Sequence, residues 1–110
     1  MHLQVLLSYD ITRDIMTKVA LARLKRRMES LRGKAANIRT RELVGLAQAL
    51  GRRRVDRGSE PTYVSDPFPT LRPATIPSHS KPLKKYTALS VLNQLEEDVS
   101  AWDEALLRAH

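Results

Sequence analysis

Residues 40–65 read TRELVGLAQALGRRRVDRGSEPTYVS, and a change of period inside this stretch sets the fold class. In 40–50, Leu43, Leu46, Ala47 and Leu50 fall at i, i+3, i+4 and i+7, which gathers them on one face of a helix. Thr40 is placed to cap that helix, Glu42 complements its positive end, and Gly51 suits the position just past its last turn. Gly45 lowers helix propensity, so its expected use is close packing. Beyond Gly51 the pattern shortens. The segments RRRV (52–55) and PTYVS (61–65) read as strands around the turn DRGS.

Working outward, ATI (74–76) is a third strand candidate, separated from the second by DPFPTLRP. Pro61 and Pro77 stand at strand margins, where a missing N–H is tolerated. A last helix is predicted from near Tyr86 or Thr87 to about residue 108. Its stripe, Ala88, Leu92, Leu95, Val99, Trp102 and Leu106, alternates steps of four and three. Ser100, followed by Asp103 and Glu104, offers a restart as a second helix. The stripe outruns a three-stranded sheet, so its far end needs either the N-terminal helix or a second chain.

Upstream, residues 12–32 predict another helix, capped by Thr12, with Asp14 in the first turn and Gly33 at its end. Leu21, Leu24, Met28 and Leu31 form its stripe, while Ile15, Val19 and Ala22 point roughly the other way. Met16 offers an alternative start. The predicted order is helix, helix, three strands, helix: an α+β chain whose strands form an antiparallel meander with helices on one face.

The 110 residues support one domain, and 42% hydrophobic content suffices for a core. Cys is absent, which removes disulfides, thiolate nucleophiles and cysteine zinc sites together. The apolar VLL at 5–7 is too short to span a membrane, and the N-terminus lacks secretory-signal features. A soluble cytoplasmic protein is expected. His2, His79 and His110 lack ligand spacing, no Gly-rich phosphate loop occurs, and no motif activates Ser59, Ser78, Ser80 or Ser90. No cofactor and no metal are therefore expected.

Residues 13–57 carry 14 Lys/Arg against 4 Asp/Glu, whereas 58–110 carry 5 against 7. A basic half of this kind suits a nucleic acid or an acidic partner, or is a solvated helix face. In TIPSHSKPLKKYTALSVL (75–92), Lys81, Lys84 and Lys85 crowd the start of the last helix, where the macrodipole is already positive. A bound phosphate reverses the sign of that arrangement, so the lysines read as a backbone clamp; the plainer reading is three lysines extended into water. His79, beside them, is the side-chain type best suited to take a proton from a ribose 2′-hydroxyl, or is an ordinary loop histidine.

The ordered set in IRTRELVGLAQALGRRRVDRGSEPTYVS (38–65) and TIPSHSKPLKKYTALSVLNQLEED (75–98) resembles the HicA toxins of bacterial type II toxin–antitoxin systems. Its pieces are the REL opening, a Gly ending that helix, a GS turn, an IPxH strand exit, and LKKYT leading into VLNQLEED. ARLKRRMESLRGKAANIRTREL is similar to the leader helix of some relatives, so the resemblance covers roughly residues 20–98.

The resemblance implies a dsRBD-like α-β-β-β-α domain over 37–98, an N-terminal extension and basic helix over 1–36, and a C-terminal helical extension over 99–110. It implies a metal-independent endoribonuclease, a hydrolase of mRNA, held by a HicB-like antitoxin protein. Arg57, Lys81, Lys84 and Lys85 would contact RNA backbone, reading shape and phosphate more than sequence. A homodimer through the last helix is a further expectation.

The pattern departs at one position. The usual toxin has a catalytic histidine directly after GS, where this chain has Glu60 followed by Pro61. Three readings stay open: Glu60 is the general base, His79 is the remaining acid–base group, or cleavage is lost and binding kept. Outside the toxin reading stand a non-catalytic RNA- or antitoxin-binding module and a structural partner engaging an acidic protein. Tyr63 and Trp102 are expected in the sheet and core, not as base platforms.

Overall fold

The computed structural model describes residues 16–57 and 60–109. Helix α1 spans Lys18–Gly33, a 3-10 turn Ala35–Asn37, and helix α2 Thr40–Ala49. Strands β1 (Arg52–Arg57), β2 (Glu60–Ser65) and β3 (Ala74–Thr75) follow, and helix α3 (Lys85–Arg108) completes the α+β fold. The strands form an antiparallel meander in the order β1-β2-β3.

Helix α1 opens later than the sequence suggests. Thr17 is extended and its hydroxyl accepts the Ala20 N–H at 3.0 Å, so Thr17 is the cap. Thr12, Asp14 and Ile15 lie outside the described residues. The stripe Leu21, Leu24, Met28 and Leu31 is buried as its spacing requires, and Val19 points to solvent.

Thr40 does not cap α2. It occupies the first turn, while Arg39, extended at φ −97° and ψ 153°, is the N-cap residue. The Thr40 hydroxyl instead donates to the Pro77 carbonyl at 2.7 Å and accepts the His79 N–H at 3.3 Å, tying the loop after β3 to this helix end. Glu42 takes over capping: its carboxylate accepts the Arg39 N–H at 2.9 Å and Lys34 Nζ at 2.6 Å. The Arg39 N–H bond, then the Lys34 bond, hold its pKa below the ordinary glutamate range.

A depressed carboxylate stabilises the fold above its unfolded pKa and loses that contribution as pH falls through the folded value. Glu42→Ala should therefore cost about 0.5–1 kcal/mol near neutral pH. The difference should shrink on acidification, as read by urea denaturation at several pH values.

Leu43, Leu46, Leu50, Ile76, Leu92 and Leu95 are among the largest side chains removed fully from water, and α1 joins the same core through Leu21, Leu24, Met28 and Leu31. Each such side chain contributes about 1.5–3 kcal/mol by burial. Tyr63 sits in this core at 4% exposure, which withdraws its ring from any base.

Gly51 ends α2 with φ 107°, and a Cβ there would stand 2.6 Å from Pro67 Cγ, so both backbone and space demand glycine.

Helix α3 runs without a break through Ser100, its 24 residues spanning about 36 Å. The restart at Ser100 does not occur, because its apolar stripe keeps helical spacing past that residue. Its far end is covered by α1: Trp102 and Leu106 pack on the shared core, and Lys25 reaches Asp103 at 3.0 Å. Trp102 Nε1 donates to the Leu50 carbonyl at 2.8 Å and its ring meets Phe68 edge-on at 4.9 Å. Packing and hydrogen bonding fully account for this tryptophan. Among the described residues, no helix is long and apolar enough to cross a membrane.

Candidate nucleic-acid interface

The sheet register brings the sequence candidates to one end of the molecule. Arg57 pairs with Glu60 across the hairpin, and the Ile76 N–H bonds the Pro61 carbonyl at 3.3 Å. The chain therefore leaves β3 beside Glu60. Three residues past Ile76, His79 is held by its backbone on Thr40, and Arg39 Nη1 donates to the Ser80 carbonyl at 2.8 Å. The loop closes where the Leu83 N–H bonds the Ile38 carbonyl at 2.9 Å, with the Leu83 side chain buried. Gly58 and Ser59 lie outside the described residues, so Arg57 is placed by its strand position alone.

Glu60, His79, Lys81, Lys84 and Lys85 are all exposed. The two helix starts at this end differ. That of α2 is filled by Glu42. Lys84 caps α3 with no side-chain acceptor, and no acid stands in its first turn. Thr87 and Ala88 N–H groups both bond the Lys84 carbonyl, and among the described residues nothing accepts from Lys85 or Tyr86 N–H. Two free donors, the positive end of a long helix dipole and lysine side chains therefore face solvent together. This end can hold phosphate oxygens.

Glu60 and His79 share the sheet end with those lysines. The His79 ring has no described hydrogen-bond partner that fixes its tautomer, so only its backbone is positioned. Among the described residues no group of three His, Asp or Glu is placed to hold a metal ion. An open cleft of about 500 Å³, lined by Leu21, Ala22, Leu106 and Leu107, lies at the opposite end of α3.

Two features were missed by reasoning from sequence. Arg52 and Asp98 form a fully buried bidentate ion pair, at 2.8 and 2.9 Å, and Arg52 also donates to the Tyr63 and Arg72 carbonyls at 2.9 and 3.0 Å. The available signal was an acid lying within the apolar stripe of α3, one residue before Val99. The second is Arg27, whose guanidinium lies over Gly45 of α2: a Cβ on Gly45 would stand 2.9 Å from Arg27 Nη2. Gly45 serves close approach, as its propensity cost suggests, but the group it admits is a cation from α1.

No protein-family model matches the chain, nor does any curated protein or solved structure.

Proposed function

We propose that this chain is a HicA-like toxin that grips RNA by its backbone and cleaves it without a metal, under control of a HicB-like antitoxin protein. The run α2-β1-β2-β3-α3 is consistent with a dsRBD-like arrangement, to which α1 is an added helix. The carrying observation is the unfilled N-terminus of α3, flanked by the exposed Lys81, Lys84 and Lys85. Cations there disfavour the free helix, and an anion bound to the same N–H groups reverses that cost.

In the proposed chemistry without a metal, the RNA supplies its own nucleophile. A base removes the 2′-hydroxyl proton and that oxygen bonds the adjacent phosphorus. The bond from phosphorus to the 5′-oxygen then breaks, and an acid protonates the departing oxygen. The products are a 2′,3′-cyclic phosphate and a 5′-hydroxyl. Glu60 is assigned as the base and His79 as the acid; the lysines and free N–H groups offset charge growing on the phosphate. Arg57, beside Glu60 in the register, is assigned to the neighbouring phosphate.

A second reading, binding without cleavage, is favoured by the absence of any described partner orienting the His79 ring. Both readings share the clamp, so the clamp is tested first. Replacing Lys81, Lys84 and Lys85 with Gln should weaken RNA binding about 100-fold near 0.1 M salt and flatten the log–log salt dependence by roughly 2–3. All three lysines are exposed, so Tm should barely move. Fluorescence anisotropy across a salt series reads both quantities. An unchanged affinity and slope would remove the clamp and with it both readings.

A further inference from the structure

Beyond Lys18 at its start, the cations of α1 fall into two groups. On the flank facing α3, Lys25 bonds Asp103 and Arg32 bonds Glu96, each at 3.0 Å, and near the α1–α2 turn Lys34 bonds Glu42. These charges are neutralised within the chain. On the flank facing α2 and solvent, Arg23, Arg26 and Arg27 are exposed and make no ion pair with a described residue. Arg41 in the first turn of α2 is likewise exposed and makes no direct ion pair with a described residue, although its charge helps to hold the Glu42 pKa down.

Arg27 is not simply extended into water. Its guanidinium crosses to the outer face of α2 and lies over Gly45, in the space a Cβ would occupy. Arg41 stands four residues before Gly45, so the two positions are neighbours on that face, about 5–6 Å apart at Cβ. Two arginine positions from different helices thus share one surface, and Glu42, the acid next to Arg41, already accepts from the Arg39 N–H and Lys34 Nζ. Arg23 continues the row one turn along α1.

This row also meets the lysine end. Thr40 holds the loop carrying His79, Arg39 holds Ser80, and Arg41 follows directly. We infer that Arg41, Arg27 and Arg23 form a second stretch of the RNA path, binding backbone phosphates beyond those held by Lys81, Lys84 and Lys85. The inference rests on the RNA-binding reading and extends it to α1. A protein partner of this size of surface would need an apolar centre to bury. Of the exposed large apolar side chains, Tyr86 and Leu107 lie on α3 and Val19 lies a turn beyond Arg23, so none interrupts the row. Guanidinium groups are also the side chains best shaped to grip phosphate with paired donors.

The test uses the full chain, a labelled hairpin RNA and polyglutamate as an acidic-protein mimic, over a salt series. R27Q/R41Q should weaken RNA binding roughly tenfold and reduce the salt slope by roughly 1.5, with Tm unchanged. Gly45→Ala supplies an independent arm: the new Cβ displaces the Arg27 guanidinium while removing a helix-weakening glycine. It should raise Tm and still lower RNA affinity, a combination that lost folding cannot give. K84Q/K85Q is run alongside. Full RNA affinity in R27Q/R41Q beside weakened binding in K84Q/K85Q overturns the second stretch and leaves the clamp standing. A wild type with no RNA affinity removes both. Polyglutamate bound as tightly as RNA, and lost equally in R27Q/R41Q, would reassign the row to an acidic protein.

Discussion

With Glu60 and His79 both replaced by Ala, RNA cleavage in EDTA should fall by about 100- to 10,000-fold while RNA affinity stays at the wild-type level. The split follows from where the groups stand. Glu60 lies at the hairpin end of β2, and His79 lies in the loop pinned to Thr40. Both side chains are exposed, and neither makes a hydrogen bond or ion pair with another described side chain. The lysines proposed to grip the RNA are separate residues, so binding and chemistry should come apart in the double variant.

Each single variant distributes the roles. If one carboxylate and one imidazole act as a pair, either single change should approach the effect of both, because base and acid serve one displacement. Products ending in a 2′,3′-cyclic phosphate would identify the 2′-hydroxyl as nucleophile. A double variant that cleaves as fast as wild type would sink the assignment of both residues. Wild-type protein that binds RNA but leaves it intact in every buffer would settle the matter for the non-catalytic reading.

Arg52→Met should cost about 3–5 kcal/mol at neutral pH, the largest stability effect expected of a single substitution here. It strands a fully buried carboxylate: the Asp98 and Arg52 side chains are both at 0% exposure, and the pair is bidentate. Burial pushes the Asp98 pKa up, and the two bonds from Arg52 oppose that shift. Removing Arg52 removes the opposition, so Asp98 in the folded variant holds its proton to higher pH than in the wild type.

A raised folded pKa adds stability below the unfolded value and loses it as pH rises through the folded one. The cost of Arg52→Met should therefore be smaller in acid than at neutral pH. Urea denaturation of both proteins at two pH values checks this, and a cost that grows on acidification would contradict it. Pairing Arg52→Met with Asp98→Leu should recover most of the loss, since no charge is then stranded. Recovery should stay incomplete, because the Tyr63 and Arg72 carbonyls lose the Arg52 Nη1 donor, although the Arg72 carbonyl still accepts from Gln94 Nε2 at 3.1 Å.

Local pattern carried much of this fold. Helical spacing at Leu43, Leu46, Ala47 and Leu50, and at Ala88, Leu92, Leu95 and Val99, identifies buried faces because a helix has one period whatever it packs on. The glycine after Leu50 and the short strands around DRGS place the hairpin for the same reason: turn chemistry is a property of a few adjacent residues. Candidate groups for the site were legible too, since lysines at a helix start are visible as a local conflict with the dipole.

Local pattern could not settle which of two threonines caps α1, or that Thr40 serves a loop in place of its own helix. Thr17 and Thr12 have the same side chain, and the choice depends on where the chain enters the core. Nor could it show that Arg52 finds Asp98, 46 residues away, or that Arg27 lies over Gly45. Those partners meet only after the sheet and α3 close on α1 and α2. Spacing along the chain fixes what a residue can do within its own element; charge pairing between elements depends on distances that packing alone creates.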